Sequence, residues 1–305
     1  MFLPIQKPWY RGPYKREATR WRDAVSPDDR RNFYNTEGYV HLRNVLPSDL
    51  LELTEYVLRR WSNVIFGQWI EEGLIEDPRT DIDFQHRFVK LYLDAGKPKY
   101  SRSPRRDLVC PEMYQILVHR VLLDLAEDLL GTSEISVHGI FNGRAKLPDQ
   151  IWTDTSWHQD AQYYRDAEHT HTVSMWYPLR RVTEENSCLQ VAPRLHGGIL
   201  FEGHKDEETG FLGLSHESRK NLEGLSIEME RGDVFCFHQK TPHRALPNRS
   251  DAVRWSLDVR YEATEHATES GKIKGLIARS THDPSTVTPY EEWHEKWADA
   301  PKGSY

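Results

Sequence analysis

Long apolar segments are missing from this 305-residue sequence. No run approaches the roughly 20 apolar residues of a membrane-spanning helix. The N-terminus also lacks the apolar core of roughly 7 to 15 residues found in secretory signal peptides. Cysteine is scarce, and Cys110, Cys188 and Cys236 form neither a disulfide framework nor a metal-spaced pair. We therefore expect a soluble cytoplasmic protein with reduced thiols and no membrane partner.

A basic surface suited to nucleic acid is missing as well. The net charge is -7, and the basic clusters at 20–31 and 102–106 are short. No nucleic-acid partner is therefore expected. No Ser/Gly/Pro-rich linker, internal repeat or low-complexity tract divides the chain. These absences favour a single domain over residues 1–305.

Aromatic residues are what the chain has in quantity. It contains 10 Trp, 14 Tyr and 10 Phe. They offset a polar composition, in which 38% of residues are hydrophobic and the mean hydropathy is -0.73, because each ring buries a large area. An ordered globular body is therefore predicted rather than a disordered chain.

The first predicted helix has a clear start and end. Residues 1–25 carry no periodicity and are expected to form an N-terminal arm on the body. Ser26 followed by Pro27 is typical of a helix start. Gly38 breaks the pattern, and a strand is predicted at 39–42.

The rest of residues 26–133 is predicted to be helical around one insertion. A second helix opens near residue 47, and apolar residues at helical spacing predict a third over 111–130. Residues 66–108 are charged, aromatic and aperiodic. We expect them to form an insertion loop that covers an active site.

From residue 134 the apolar period changes to two, which indicates strands. Short strands are predicted at 135–140, 172–179, 188–192, 227–230, 233–237 and 255–261. Many short strands in a row favour a sandwich, jelly roll or barrel over 134–262. With helices first, the fold class is α+β. In the C-terminal extension, 263–305, an amphipathic helix at 290–297 is expected to pack on the body or form a homodimer contact.

His158 and Asp160 are the first candidate metal ligands. Alternate residues of a strand face the same side, so these two side chains are expected to point together. His243 follows a later predicted strand and can supply a third ligand. Two histidines and one carboxylate form the facial triad of non-haem iron(II) enzymes, although manganese and zinc accept similar ligands.

Other histidines compete for this role. His169 and His171 have the same spacing as the first pair but lie in a polar stretch between strands. His238 ends an apolar strand and competes with His243, although a buried histidine with satisfied hydrogen bonds is the better interpretation for it.

Arg254 and Ser256 are expected to share one face of a strand, with Trp255, Leu257 and Val259 on the other. A guanidinium beside a hydroxyl suits a carboxylate, because the Arg fork matches both carboxylate oxygens. This pair is therefore a candidate site for the distal carboxylate of 2-oxoglutarate. The alternative is a surface arginine paired with an acidic residue.

The combined pattern resembles the phytanoyl-CoA dioxygenase family of iron(II)/2-oxoglutarate oxygenases. The likeness covers roughly residues 30–262. Its motifs, in chain order, are Glu37–Leu46, Trp157–Asp160, Glu185–Pro193, Arg231–Val234 and Pro242–Arg254. The chain departs from the family at Asn186-Ser187, usually Asn-Gly, and at Pro193-Arg194-Leu195-His196, usually Pro-Gly-Ser-His.

The resemblance implies a double-stranded β-helix, also called a jelly roll or cupin-like core, with flanking N-terminal helices. It implies that His158, Asp160 and His243 hold Fe(II) and that Arg254 clamps 2-oxoglutarate, with O2 as the oxidant. It places Trp176 against the cosubstrate and Lys146 near it. The expected reaction is hydroxylation of an unactivated C–H bond of a small molecule, with succinate and carbon dioxide as coproducts.

Several alternatives stay open at this point. Desaturation, cyclisation and epoxidation use the same oxidant, whereas Asp160 argues against halogenation, which replaces the carboxylate by a small residue. A non-catalytic binding protein and a zinc or manganese cupin isomerase or hydrolase are the rival classes. Gln159, Tyr163 and Arg279 are candidate substrate contacts, and a metabolite or natural product is the expected substrate.

Overall fold

The computed structural model describes residues 26–100, 104–150, 153–164, 170–198, 200–205, 207, 210–220, 222–268 and 274–298. The predicted arm at 1–25 lies outside these residues.

Local capping decides where the first helix, α1 (Pro27–Glu37), begins and ends. The Asp29 amide donates to the hydroxyl of Ser26 at 3.2 Å, and Pro27 occupies the first turn. Gly38 ends the helix at φ +82°, a conformation that favours glycine. A Cβ at Gly38 would also lie 2.5 Å from Nδ1 of His196. The predicted start and end of this helix are confirmed.

Further helices surround the sheets. They are α2 (Ser48–Glu71), α3 (Phe84–Asp94), α4 (Arg105–Leu108), α5 (Pro111–Leu117), α6 (Arg120–Leu130), α7 (His216–Arg219) and α8 (Tyr290–Glu295). No helix in the described ranges is both long enough and apolar enough to span a bilayer.

The prediction of an irregular insertion at 66–108 is wrong in part. Helix α2 continues to Glu71, and α3 and α4 lie within this segment, whereas residues 72–83 are outside helices and strands. Trp61, Phe66 and Trp69 on α2 pack with Phe88 on α3 at centroid distances of 5.2 to 6.0 Å. Several of the charged residues that suggested a loop do lie in the irregular stretch at 72–83.

The predicted single helix over 111–130 is also wrong. The chain forms α5 and α6, separated at Val118 and His119. His119 caps α6, since its Nδ1 accepts from the Val121 amide at 3.3 Å. Apolar spacing continues across the break, so periodicity alone did not show it.

The strands form antiparallel sheets. The large sheet has the order β1-β9-β4-β11-β2-β12, with β3 also paired to β11; the smaller ones are β10-β5-β8 and β6-β7. The strands are β1 (Tyr39–Leu42), β2 (Ile135–Val137), β3 (Asn142–Lys146), β4 (Thr172–Pro178), β5 (Leu189–Val191), β6 (Gly203–Lys205), β7 (Leu212–Leu214), β8 (Leu225–Ile227), β9 (Val234–His238), β10 (His243–Ala245), β11 (Arg254–Ala263) and β12 (Leu276–Arg279). A fold of helices and antiparallel sheets is confirmed.

Alternation along the strands divides the interior into two apolar layers. On β9, Val234 and Cys236 join the cluster formed with the helices. Phe235 and Phe237 join a second cluster, which also contains residues of β5 and β8. Successive strand residues face opposite sides. One face of the large sheet therefore packs on the helices, and the other face packs on the three-stranded sheet β10-β5-β8.

Strand β3 was not predicted, because Asn-Gly-Arg-Ala-Lys resembles a polar loop. A Cβ at Gly143 would lie 2.4 Å from Cδ2 of Leu58, so this glycine lets α2 approach the sheet closely. Arg144 and Lys146 face the other side. The strand therefore presents a small-residue face to the helices and a polar face to the interior between sheets.

The C-terminal helix lies against the body. Trp293 and Trp297 are buried within the helix-side cluster, and Trp297 packs on Phe141 at a centroid distance of 5.5 Å. The predicted helix at 290–297 is confirmed over Tyr290–Glu295.

Replacing Leu58 by Ala should lower the free energy of unfolding by about 2 to 5 kcal/mol, the usual cost of truncating a buried leucine. Leu58 is fully buried, whereas Tyr56 on the same helix is 52% exposed. Tyr56→Ala is the matched control and should change stability by about 0.5 kcal/mol or less. Urea denaturation of both variants measures this difference, and equal midpoints would contradict the packing described.

Candidate metal centre

His158 and His243 meet through an isolated antiparallel bridge. Each backbone N–H donates to the other carbonyl at 3.0 Å, and the ring centroids lie 4.2 Å apart. Nδ1 of His158 donates to the Ser156 carbonyl at 2.8 Å, and Nδ1 of His243 donates to the Thr241 carbonyl at 3.0 Å. These bonds fix both tautomers and leave the Nε2 lone pairs available to a metal.

Asp160 completes the group from a different local structure than predicted. It begins a 3-10 helix, Asp160–Tyr163, rather than continuing a strand. Its Oδ1 nevertheless lies 3.8 Å from Nε2 of His158 and 4.0 Å from Nε2 of His243. Atoms that bind one ion at about 2.1 Å lie about 3 to 4 Å apart, so this spacing fits a single metal.

The carboxylate of Asp160 is held by two buried donors. Arg260 donates from Nε to Oδ2 at 3.1 Å and from Nη2 to Oδ1 at 3.0 Å. Ser174 donates its hydroxyl to Oδ2 at 2.6 Å. Oδ2 thus accepts from both donors, whereas Oδ1 accepts from Arg260 and also faces both histidines, so Oδ1 is the oxygen placed to bind a metal.

The protonation states of the three side chains suit a divalent cation. Burial and the neighbouring His243 lower the pKa of His158 to about 3, and burial also lowers the pKa of His243. Burial alone would raise the pKa of Asp160, but the charges of Arg260 and the two histidines hold it well below its usual range. Two neutral imidazoles and one carboxylate form the facial-triad donor set.

The competing histidines lie elsewhere. Among the described residues, His158, Asp160 and His243 form the only group of three or more potential ligands with atoms within 4.8 Å of one another. His238 stacks on His171 at 4.9 Å, and Nε2 of His171 lies 3.1 Å from the Tyr34 hydroxyl. His169 lies outside the described residues.

The three side chains line one pocket that opens to solvent. Its lining combines aromatic rings with four cationic side chains. The lining residues are Trp61, Tyr100, Arg144, Ala145, Lys146, Thr153, Thr155, His158, Asp160, Trp176, Leu189, Phe211, Phe237, His243, Ala245, Arg254, Asp258 and Arg260.

Arg254 and Ser256 lie on one strand face, as predicted. Nη1 of Arg254 donates to the Ser256 hydroxyl at 2.5 Å, and the guanidinium lies 5.3 Å above the Trp176 ring. Nε of Arg254 is buried and donates to no described residue. Burial and the charge of Arg144 lower the pKa of Arg254 to about 9. This buried cation, charged at neutral pH, lacks a bonded carboxylate among the described residues, which fits an anionic ligand.

Lys146 lies directly opposite Arg254 in the pairing of β3 with β11. Its Nζ is 2.8 Å from a carboxylate oxygen of Asp154. Burial and the charge of Arg254 lower the pKa of Lys146 to about 7. Lys146 thus lies beside the same end of the pocket as Arg254.

Gln159 and Arg279, two predicted substrate contacts, are not among the residues that line this pocket, so their contact with a substrate stays a prediction. The Gln159 amide donates to the Lys240 carbonyl at 2.7 Å and accepts from the Phe201 amide at 2.8 Å. Arg279 pairs with two acidic residues of α6 at 2.7 and 2.8 Å. Gln159 thus joins its segment to the backbone of two distant loops, and Arg279 joins β12 to α6.

Tyr163 lies beside the centre without lining the pocket. Its ring is 6.3 Å from that of His158, edge to face, and its hydroxyl donates to the Leu212 carbonyl at 3.3 Å. The side chain is 39% exposed, so a substrate contact stays a prediction.

Sequence reasoning missed Arg260, Asp258, Ser174 and Arg144. The polar alternation that identified Arg254 and Ser256 continues along β11 to Asp258 and Arg260, so it was a usable signal. Arg144 had none, because β3 itself was not recognised.

Residues 34–256 match the family model of phytanoyl-CoA dioxygenase. Because this match covers more than half of the chain, the protein belongs to the phytanoyl-CoA dioxygenase family. The predicted resemblance and the predicted class, an iron(II)/2-oxoglutarate-dependent dioxygenase, are confirmed.

Named relatives agree with this class. A "Probable phytanoyl-CoA dioxygenase" of Caenorhabditis elegans is 22% identical over 89% of this chain and 91% of its own length. A methylphosphonate hydroxylase of Gimesia maris is 26% identical over 77% of this chain and 80% of its own. A 1-deoxypentalenic acid 11-beta-hydroxylase of Streptomyces arenae is 26% identical over 85% and 94%.

Solved structures share the fold. The non-haem monooxygenase ThoJ has a TM-score of 0.59 at 20% identity, covering 86% of this chain and 87% of its own. The epimerase SnoN, solved with Fe3+ and alpha ketoglutarate, has a TM-score of 0.54 at 17% identity, covering 84% and 87%. The carbocyclase SnoK has a TM-score of 0.51 at 18% identity, covering 87% and 92%.

Replacing His243 by Ala should weaken iron(II) binding by about 100-fold or more, since loss of even an outer partner of a metal ligand costs about 10 to 100-fold. His238→Ala tests the competing histidine. It should change the iron(II) affinity by about threefold or less, which is smaller than the loss caused by removing even an outer partner of a ligand. Anaerobic equilibrium dialysis of iron(II) measures both. A larger loss of iron(II) affinity in His238→Ala than in His243→Ala would identify His238 as the third ligand.

Arg260→Leu should make iron(II) affinity more dependent on pH. Without Arg260, burial raises the pKa of Asp160, so protons compete for the carboxylate and affinity falls further as pH drops from about 8 to about 6. Wild type and Arg260→Lys keep a cation there and should lose less affinity over the same interval. Dissociation constants at several pH values measure this, and identical profiles would contradict the role of Arg260.

Proposed function

We propose that this protein is an iron(II)/2-oxoglutarate-dependent dioxygenase that hydroxylates an unactivated C–H bond of a small molecule. The observation that carries the proposal is one pocket shared by a buried His-Asp-His centre and the buried Arg254 guanidinium. When bound, iron(II) with 2-oxoglutarate and oxygen supplies the oxidising power, yielding succinate, carbon dioxide and oxidised substrate.

The chain's own residues have distinct tasks in this proposal. His158, Asp160 and His243 hold the metal through Nε2, Oδ1 and Nε2. Because three protein ligands leave positions of an octahedral ion open, the cosubstrate and oxygen have room to bind. Arg260 and Ser174 keep Asp160 ionised and oriented.

The cosubstrate end of the pocket is assigned to Arg254. Its planar fork matches a carboxylate, and its 2.5 Å bond to Ser256 fixes the guanidinium. Trp176 lies against the guanidinium and would flank the bound cosubstrate. Lys146 adds positive charge at this end and also forms an ion pair with Asp154.

The core that carries this site is proposed to be a double-stranded β-helix. Two antiparallel sheets enclose a common apolar cluster, and the centre lies at the bridge between His158 and His243. The family and the fold of the solved neighbours support this architecture. The three ligand side chains are buried between the sheets, which limits their contact with bulk water.

Hydroxylation is the outcome best supported by the relatives, two of which are named hydroxylases. The neighbours include an epimerase and a carbocyclase. Ring closure and other oxidations are therefore alternative outcomes for a protein with this fold. Asp160 supplies a carboxylate ligand and thereby occupies the position that a halide would need.

The proposal is tested by adding iron(II) and 2-oxoglutarate to the apoprotein without oxygen. A weak visible charge-transfer band of the chelate is expected. Asp160→Ala should abolish the band. A band that persists in this variant, or its absence in wild type, would favour a non-catalytic or differently metallated protein. Succinate formation with candidate substrates, followed by product mass spectrometry, identifies the reaction.

Replacing Arg254 by Ala should raise the dissociation constant for 2-oxoglutarate by about 100-fold, since two charge-assisted hydrogen bonds are lost. Arg254→Lys keeps the charge without the fork and should give an intermediate value. Titration of the anaerobic band with 2-oxoglutarate measures both, and iron(II) affinity without cosubstrate serves as the control. Unchanged 2-oxoglutarate affinity in Arg254→Ala would exclude Arg254 as the clamp.

A further inference from the structure

Arg144 lies on β3 with its side chain in the pocket. In the pairing with β11 it is opposite Ser256, and Lys146 is opposite Arg254. Arg144 and Lys146 therefore follow the same wall of the pocket, two residues apart. The Arg144 side chain is 25% exposed, whereas that of Lys146 is 2% exposed. Arg144 is thus the cation nearer solvent.

The other three cations of the pocket already have assignments. Arg260 bonds to Asp160 and, at 2.5 Å, to Asp258. Lys146 pairs with Asp154. Arg254 is assigned to 2-oxoglutarate in the proposed function. Arg144 is the cation of the lining that the reaction described so far does not use.

Arg144 is only partly compensated. Its Nε donates to Oδ2 of Asp258 at 3.2 Å. The other oxygen of Asp258 accepts from Asn142 at 2.7 Å and from Arg260. The terminal nitrogens of Arg144 donate to no residue within the described ranges. Asp258 therefore anchors the guanidinium by one edge, and its outer edge has no acceptor in the part of the chain that the structure describes.

An apolar surface lies beside this cation. The guanidinium carbon of Arg144 is 5.9 Å from the centroid of the Phe211 ring, and Phe211 also lines the pocket. A ligand with an anionic head and an apolar body would meet both features at once.

We propose that Arg144 binds an oxyanion of the substrate, a carboxylate or a phosphonate, so that the enzyme acts on an anionic small molecule. This inference rests on the proposed function. The planar guanidinium offers paired N–H donors that match either oxyanion. Because the Arg144 side chain is 25% exposed and Arg254 is only 2% exposed, the substrate anion would lie on the solvent side of the cosubstrate carboxylate.

The test uses the full chain loaded with nickel(II) and 2-oxoglutarate, so that Arg254 is already occupied. Pentanoate, pentylphosphonate and neutral pentanamide are titrated by calorimetry. We expect at least one anion to bind about tenfold or more tightly than the amide. The two anionic probes show which oxyanion is preferred.

In Arg144→Gln this preference should fall to about twofold or less, because the charge-assisted bonds are lost. Arg181→Gln removes the same charge from an exposed ion pair with Glu230 and should keep the preference. Asp258 retains Asn142 and Arg260 as donors, so the variant is expected to fold. Arg144→Lys, which keeps the charge, should retain part of the preference and serves if the glutamine variant unfolds.

Two results would overturn the inference: equal affinities for the anions and the amide in wild type, or a preference that survives in Arg144→Gln. Release of 2-oxoglutarate by the anionic probes would also overturn it, since their site would then be Arg254. If nickel(II) and 2-oxoglutarate do not bind at all, the proposed function fails instead. The same titrations on metal-free Arg254→Ala then still test Arg144.

Discussion

The ion pair between Arg260 and Asp160 is the interaction on which the centre depends. A carboxylate buried between two imidazoles would tend to take up a proton, because burial penalises the charged form. Arg260 spans both carboxylate oxygens at 3.0 and 3.1 Å and reverses that tendency. Removing one partner of such a pair leaves a buried charge without compensation. Both ionisation and orientation of Asp160 therefore follow from Arg260.

The long strand β11 organises the rest of the site. Residues of one parity, Trp255, Leu257, Val259 and Tyr261, lie in the helix-side core. Those of the other parity include Arg254, Ser256, Asp258 and Arg260, three of which line the pocket. Pairing with β4 places Trp176 opposite Asp258, and pairing with β3 places Lys146 opposite Arg254. The pairing register of β11 thus sets the positions of pocket side chains from three strands, β3, β4 and β11 itself.

Much of this arrangement could be predicted from sequence because it is local. The cap at Ser26, the end at Gly38 and the alternation along β11 each depend on neighbouring residues. The convergence of His158 and His243 could be proposed from residue types and family motifs. In the structure, a backbone bridge brings these two histidines together, although they lie far apart in the chain.

The predictions from sequence that failed share one cause. Contacts between residues far apart in the chain override the structure that the local sequence pattern favours. Strand β3 has little strand character, yet pairing with β11 and the close approach of Leu58 to Gly143 define it. Arg144 was missed for this reason. Gln159 lies between His158 and Asp160 in the sequence. Its side chain bonds to backbone groups of distant segments.

The two faces of β11 also explain how the fold tolerates a buried cation that bonds to no carboxylate among the residues described. Desolvating Arg254 is unfavourable, as the lowered pKa shows. The next residue, Trp255, stacks on Phe84 at 4.5 Å and meets Trp61 edge-on at 6.2 Å. Aromatic burial of this kind is strongly favourable. Since both side chains belong to one strand, the packing of Trp255 fixes the backbone at Arg254, and the bond to Ser256 fixes the guanidinium for its ligand.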